Sequence, residues 1–124
     1  MIGSTRALHV WAYAAPADLR KSYDGLDALV RRDLQRDPLS GDLFLFINRR
    51  RNRAKVLLWD GTGPCIYMKR LEQGRFAAPW RMIRDGRVEL TASELALLLE
   101  GGKLVGKIPL SPQKIVRSPL ASKS

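Results

Sequence analysis

Between Leu43 and Leu71 three strand-like runs follow one another with only tight-turn signals between them. Leu43–Asn48 (LFLFIN) is too apolar throughout to have one freely solvated face, and Arg49–Asn52 is a short turn. Arg53–Asp60 is the return strand, and Asp60-Gly61-Thr62-Gly63 is a turn of the Asp-Gly type favoured in hairpins. Pro64–Leu71 is the third strand. Three strands in series with connections this short must run antiparallel, as a meander. Glu72-Gln73-Gly74 turns the chain again, Asp85-Gly86 is another hairpin-type turn, and Arg87–Leu90 is a last short strand. Phe76–Arg84 has no clear period.

The flanks are mostly helical. Leu8–Ala12 (LHVWA) reads as a first strand, and Pro16 disfavours helix at the residue before it. Asp18 is then a plausible N-cap, and Leu19, Tyr23, Leu26, Val30 and Leu34 recur at three- and four-residue spacing. That is one apolar face of an amphipathic helix, ended by Asp37-Pro38-Leu39-Ser40-Gly41. Gly25 within it suggests close packing against a strand. Thr91 with Glu94 has the spacing of a capping box, Leu95, Leu98 and Leu99 supply an apolar face, and Gly101 is a good C′ residue. The expected fold is α+β: an antiparallel meander of about four to five strands, one amphipathic helix packed on it, and a short C-terminal helix. Residues 1–101 form the single domain. Residues 102–124, with five basic residues, no acidic one and several prolines, read as a basic, partly disordered tail.

The formal net charge is +10, and its distribution is uneven. Leu43–Arg87 holds 11 Lys/Arg against 3 Asp/Glu, while Met1–Asp42 balances at zero. A basic surface clustered on a small folded domain faces a polyanion, most commonly nucleic acid. No apolar run approaches the ~20 residues that a membrane span needs. Ala7–Ala17 superficially resembles a signal peptide, but it is short and His9 interrupts it. The single cysteine, Cys65, excludes an internal disulfide. The expectation is a cytoplasmic protein without a membrane partner.

The turn Arg49-Arg50-Arg51-Asn52, followed by Arg53, is the sharpest functional signal. Four guanidiniums at one hairpin tip repel one another, and arginine suits phosphate because it donates two parallel N–H bonds. A two-stranded ribbon can also enter a DNA groove. Against this stands an ordinary solvated turn. Lys69, Arg70, Arg75, Arg81 and Arg84 could extend the surface. If Ala54, Val56 and Leu58 cover the first helix, the other face carries Lys55, Trp59, Tyr67 and Lys69. Such a face is either a stacking platform for bases or a plain cross-strand aromatic pair. Catalytic constellations are thin. His9 stands alone in a strand, Cys65 has no sequence-local partner, and no Cys/His spacing suits a metal. Asp42, Asp60 and Glu72 fit turn and N-cap roles better than a metal-binding trio. No enzyme activity and no cofactor are expected.

Asp42–Phe76 also resembles the signature of the small accessory protein encoded by the second open reading frame of insertion sequence 66 family elements. The pattern falls on Phe46, Asn48, Arg49, Arg50, Lys55, Trp59, Asp60, Tyr67, Lys69, Arg70, Leu71, Glu72, Gly74, Arg75 and Phe76. Pro16, Asp18, Arg20, Lys21, Asp24, Gly25 and Leu26 resemble the family's N-terminal motif, and Leu90-Thr91 its C-terminal helix start. The departures are small residues at Ala77 and Ala78 and the composition of the tail after Gly101. The resemblance implies an accessory role in DNA transposition beside a separate transposase. Two expectations follow. In one, the chain binds DNA at the element ends through Arg49, Arg50, Arg51, Arg53, Lys55, Trp59, Tyr67, Lys69, Arg70 and Arg75. In the other, it is an adaptor whose partner is the transposase and whose DNA affinity is only generic. A nuclease would need a metal cluster that the sequence does not display.

Overall fold

Strands β1 (Val10–Ala12), β2 (Leu43–Ile47), β3 (Arg53–Trp59), β4 (Pro64–Arg70) and β5 (Val88–Leu90) form one sheet in the order β4-β3-β2-β1-β5. This is a computed structural model and describes residues 8–101. The expected tail, 102–124, lies outside the described residues. The β2-β3-β4 meander is present as expected: Leu45 faces Val56, and Val56 in turn faces Tyr67. The sheet is nevertheless mixed, which corrects the all-antiparallel expectation. β1 runs parallel to β2, with Val10 opposite Leu43 and Trp11 opposite Phe44. A parallel neighbour needs a crossover, and the helix between these strands supplies it. β5 returns to the far side of β1 rather than to β4, and pairs with it antiparallel.

Both faces of the sheet are covered over β2, which explains why that strand is apolar at every position. On one face lie Trp11, Phe44, Phe46 and Leu57, packed with Ala17, Leu26, Leu29 and Val30 from the crossover. On the other lie Val10, Ala12, Leu45, Ile47, Ala54 and Val56 with Phe76, Leu95 and Leu98. The segment 76–82, which has no period in the sequence, is a lid on this second face. It buries Phe76, Ala78 and Pro79 and contains one 3₁₀ turn at Pro79–Arg81.

Helix α1 (Tyr23–Leu29) begins at Ser22, later than the expected Asp18 cap. Asp18 instead closes a tight turn by accepting from the Arg20 N–H at 3.0 Å. The helix runs on into a π-helical turn at Val30–Leu34 and stops at Gln35, which is left-handed at φ 55°. A Cβ on Gly25 would sit 2.9 Å from the Lys21 Cβ, so its tight neighbour is the preceding turn and not a strand. Helix α2 (Ala92–Leu99) has the expected reciprocal capping box between Thr91 and Glu94. It ends at Gly101, whose φ of 86° is the left-handed C′ geometry. The stretch that resembles a leader holds β1, whose three residues are buried in the interior of the sheet.

Candidate nucleic-acid interface

The β2–β3 turn projects from the end of the sheet, and two asparagines fix its shape. Asn48 Oδ1 accepts from the backbone N–H of Asn52 at 3.0 Å and of Arg53 at 2.9 Å. Asn48 Nδ2 donates to Asn52 Oδ1 at 2.7 Å. Arg51 N–H closes the turn on Asn48 O at 3.0 Å, and Arg51 takes the left-handed conformation, φ 60°. The neighbouring loop is fastened to the same turn. Leu71 N–H donates to Asn52 O at 2.8 Å, and Phe76 N–H to Arg51 O at 2.6 Å. With Phe76 wholly buried, this brings Arg75 beside the tip.

The result is a ridge with a hollow on each side. One hollow, about 480 Å³, is lined by Ala17–Arg20 together with Asn48, Arg49, Arg50, Asn52 and Arg53. The other, about 460 Å³, is lined by Arg49, Arg50, Asn52, Gly74 and Arg75. Arg49 and Arg50 border both. Among the described residues Arg49, Arg50, Arg51, Arg53 and Arg75 make no ion pair. Arg20, on the wall of the first hollow, does: its Nε and Nη2 each reach the Asp18 carboxylate at 3.0 Å. Those bonds, with the Arg20 backbone N–H, hold the Asp18 carboxyl down at about 2. That hollow therefore carries one carboxylate among its arginines.

The other candidate residues divide by position. Arg70 lies at the tip end of β4 and makes a long 3.4 Å contact with Glu72, an exposed pair of small energetic consequence. Lys55 Nζ donates to Lys21 O at 3.1 Å, and Lys69 Nζ to Leu99 O at 2.6 Å. Lys55 therefore ties the segment just before α1 to the sheet, and Lys69 ties the C-terminal end of α2 to it. The expected platform of Lys55, Trp59, Tyr67 and Lys69 on one face is not formed. Directly paired residues share a face, and the register sets Tyr67 opposite Val56 and Lys69 opposite Ala54. Tyr67 and Lys69 thus lie on the α2 face, whereas Lys55 and Trp59 lie on the α1 face. Trp59 and Tyr67 are not a cross-strand pair either, since Trp59 faces Pro64. The physical reason is the register of the β3–β4 hairpin: pairing Trp59 with Pro64 puts Tyr67 and Lys69 on the face of Ala54 and Val56, and that face packs under α2. Trp59 also ends β3 at the opposite end from the arginine tip, six residues or roughly 20 Å away.

Sequence reasoning missed the asparagines as scaffold and Ala17–Arg20 as a wall. Asn48 and Asn52, set four apart around the arginines, carried the first signal, because an Asx side chain readily bonds backbone N–H groups just ahead of it. The wall had no local signal. It depends on Ala17 N–H bonding Ile47 O at 2.9 Å, which extends the parallel pairing past β1.

A family model described as IS66 Orf2 like protein matches residues 8–107. The chain belongs to this IS66 Orf2-like family. As a member it is a transposition-associated accessory protein, and the arginine tip falls within the matched region. Two relatives, both from Sinorhizobium fredii, are named only as uncharacterised proteins. One, y4jC, is 38% identical over 101 residues, which is 82% of this chain and 85% of the relative. The other, y4hO, is 34% identical over 101 residues, covering 82% and 86%. No solved structure matches. Among the described residues, no three of His, Cys, Asp and Glu are grouped to hold a metal ion. No helix among them is long and apolar enough to cross a membrane.

Proposed function

We propose that this IS66 Orf2-like protein binds DNA through the arginine tip of its β2–β3 hairpin and so assists a separate transposase at the element ends. The observation that carries the reading is the set of Arg49, Arg50, Arg51, Arg53 and Arg75. All lie around one turn, and none makes an ion pair among the described residues. Five cations held together without counter-charges raise one another's energy, and a polyanion relieves that cost. The turn is rigid because Asn48 and Asn52 hydrogen-bond it from within, so its arginines are presented with less backbone entropy to lose on binding. Trp59 and Lys55 drop out of this surface, whereas Arg70 remains at its edge.

The test is binding of the purified protein to labelled element-end DNA and to scrambled DNA of equal length, across a salt series. Tight, sequence-dependent binding that falls steeply with salt is expected. Arg50→Ala and Arg75→Ala should each lower the slope of log affinity against log salt by about one for every phosphate left without its arginine. Trp59→Ala, at the far end of β3, should leave the slope unchanged. Equal, weak binding to both DNAs would leave only the generic attraction of a +10 chain, and the transposase-adaptor reading would replace this one.

A further inference from the structure

The two edges of the sheet differ. β5 is three residues long, and its outward Glu89 is paired with His9 at 2.7 Å. β4 is seven residues long, pairs with β3 without a bulge, and has its only proline at the first position. The middle of β4 is uncharged and apolar, with Ile66, Tyr67 and Met68 exposed by 38, 48 and 64%. Such an edge is an open template for another strand. Which of its backbone groups point outward follows from two bonds that flank the β3–β4 ladder, Leu71 N–H to Asn52 O and Asp60 N–H to Gly63 O. Narrow pairs alternate along an antiparallel ladder, so residues 65, 67 and 69 bond β3 and residues 66, 68 and 70 face away.

We propose that β4 pairs antiparallel with β4 of a second copy of this chain about a two-fold axis at Tyr67, joining two five-stranded sheets into one. Three observations select a second copy in this register. First, setting Tyr67 opposite Tyr67 places Ile66 opposite the second copy's Met68, and both of those residues have outward-facing backbone groups. Both 66–68 pairs can therefore close their hydrogen bonds, and Pro64, lacking an N–H, need only accept from Arg70. Second, Ile66 and Met68 share one face, so the two copies form a four-residue apolar cluster across the axis. Third, only the antiparallel sense keeps like charges apart. Lys69, whose ammonium stays on Leu99 O, comes opposite the second copy's Cys65, and Arg70 comes opposite its Pro64. Neither meets a like charge, whereas parallel pairing would set Lys69 and Arg70 beside their own copies. The arginine tips of the two copies would then lie toward opposite ends of the joined β4 strands. This proposal is independent of the DNA reading, because no tip arginine takes part in it.

The test is the mass of the full chain by sedimentation velocity over a concentration series, in about 0.3 M salt so that repulsion between two +10 chains is screened. A species of twice the 14.0 kDa chain mass is expected to form with rising concentration. Met68→Pro removes an outward N–H and Met68→Lys charges the apolar cluster, and neither disturbs a bond to β3. Both variants should be monomeric, with the wild-type circular dichroism spectrum. The register is read by oxidation. Tyr67→Cys in a Cys65→Ser background should give a disulfide-linked dimer, since opposed residues of this pair type lie about 4.5 Å apart. The native Cys65 pair, four residues out of register or roughly 13 Å apart, should not crosslink. A monomer at every concentration would overturn the proposal. So would a dimer that survives both Met68 changes, or one in which the native Cys65 crosslinks and the Tyr67→Cys variant does not. Strong protection of Ile66, Met68 and Arg70 N–H groups in a monomer, as when residues 102–124 lie on this edge, would also overturn it.

Discussion

Asn48 and Asn52 are joined both ways, the side-chain amide of one to the side-chain oxygen of the other at 2.7 Å and the backbone N–H of the second to the side-chain oxygen of the first at 3.0 Å. Neither residue is charged, yet together they decide where the surrounding arginines stand. Asn48 alone satisfies two backbone N–H groups and supports the left-handed Arg51. Asn48→Ala leaves those donors to water and frees the turn. The expected cost is about 1–2 kcal/mol of stability, seen as a lower urea midpoint at unchanged m. On the DNA reading, the same variant should bind more weakly although no charge is removed, with a salt slope close to that of the wild type. An Asn48→Ala protein with wild-type affinity would mean that the arginines do not need a fixed turn.

How far the sequence carries this molecule depends on the range of each signal. The meander was legible because turn chemistry at Asn48–Asn52 and Asp60–Gly63 is local, and each turn joins neighbouring strands. The α2 capping box was legible for the same reason: Thr91 and Glu94 lie within one turn of helix. The parallel β1–β2 pairing was not legible, because Val10 and Leu43 are brought together by a crossover whose path leaves no trace in either strand. The misplaced platform has a related cause. Alternation along β3 separates Ala54 and Val56 from Lys55 and Trp59 correctly, but it does not give the register with β4. Once the turn paired Trp59 with Pro64, Tyr67 fell opposite Val56, and Tyr67 and Trp59 had to part. In the candidate site, the arginines of one turn were legible together, whereas the approach of Arg75 depends on Phe76 docking 25 residues beyond Arg51.

Lys69 lay within the expected DNA surface, but its Nζ bonds Leu99 O at 2.6 Å, at the C-terminal end of α2. Carbonyls at a helix end lack intrahelical partners, and the helix dipole favours a cation there. Lys69→Met keeps most of the side-chain stem and removes the cap. It should cost about 1 kcal/mol, or roughly 4–8 °C in Tm for a domain of this size. Its DNA salt slope should fall by much less than that of Arg50→Ala. An equal fall, with Tm unchanged, would return Lys69 to the DNA surface and deny the capping role.

Asp60 makes the β3–β4 turn sensitive to acid. One of its oxygens accepts from the Thr62 N–H at 2.8 Å, the Thr62 hydroxyl at 2.9 Å and the Gly63 N–H at 3.0 Å. These bonds, the Thr62 backbone first, hold the carboxyl down at about 2, against 3.8 for an unperturbed aspartate. The sign follows from proton linkage: the unfolded chain takes up a proton at higher pH than the folded chain does. The stabilisation is therefore complete above about pH 4 and is lost as pH falls toward 2. Asp18, depressed to a similar value by Arg20, acts in the same sense and window. Asp60→Asn retains the turn's shape with a weaker, uncharged acceptor. The gap in Tm between wild type and this variant should be widest above pH 4 and should shrink as pH approaches 2, where the wild-type carboxyl has taken up its proton. Thermal melts at half-unit steps across that range read this directly. Parallel Tm curves for the two proteins would mean that the Asp60 charge contributes nothing to the fold and that the turn is held by geometry alone.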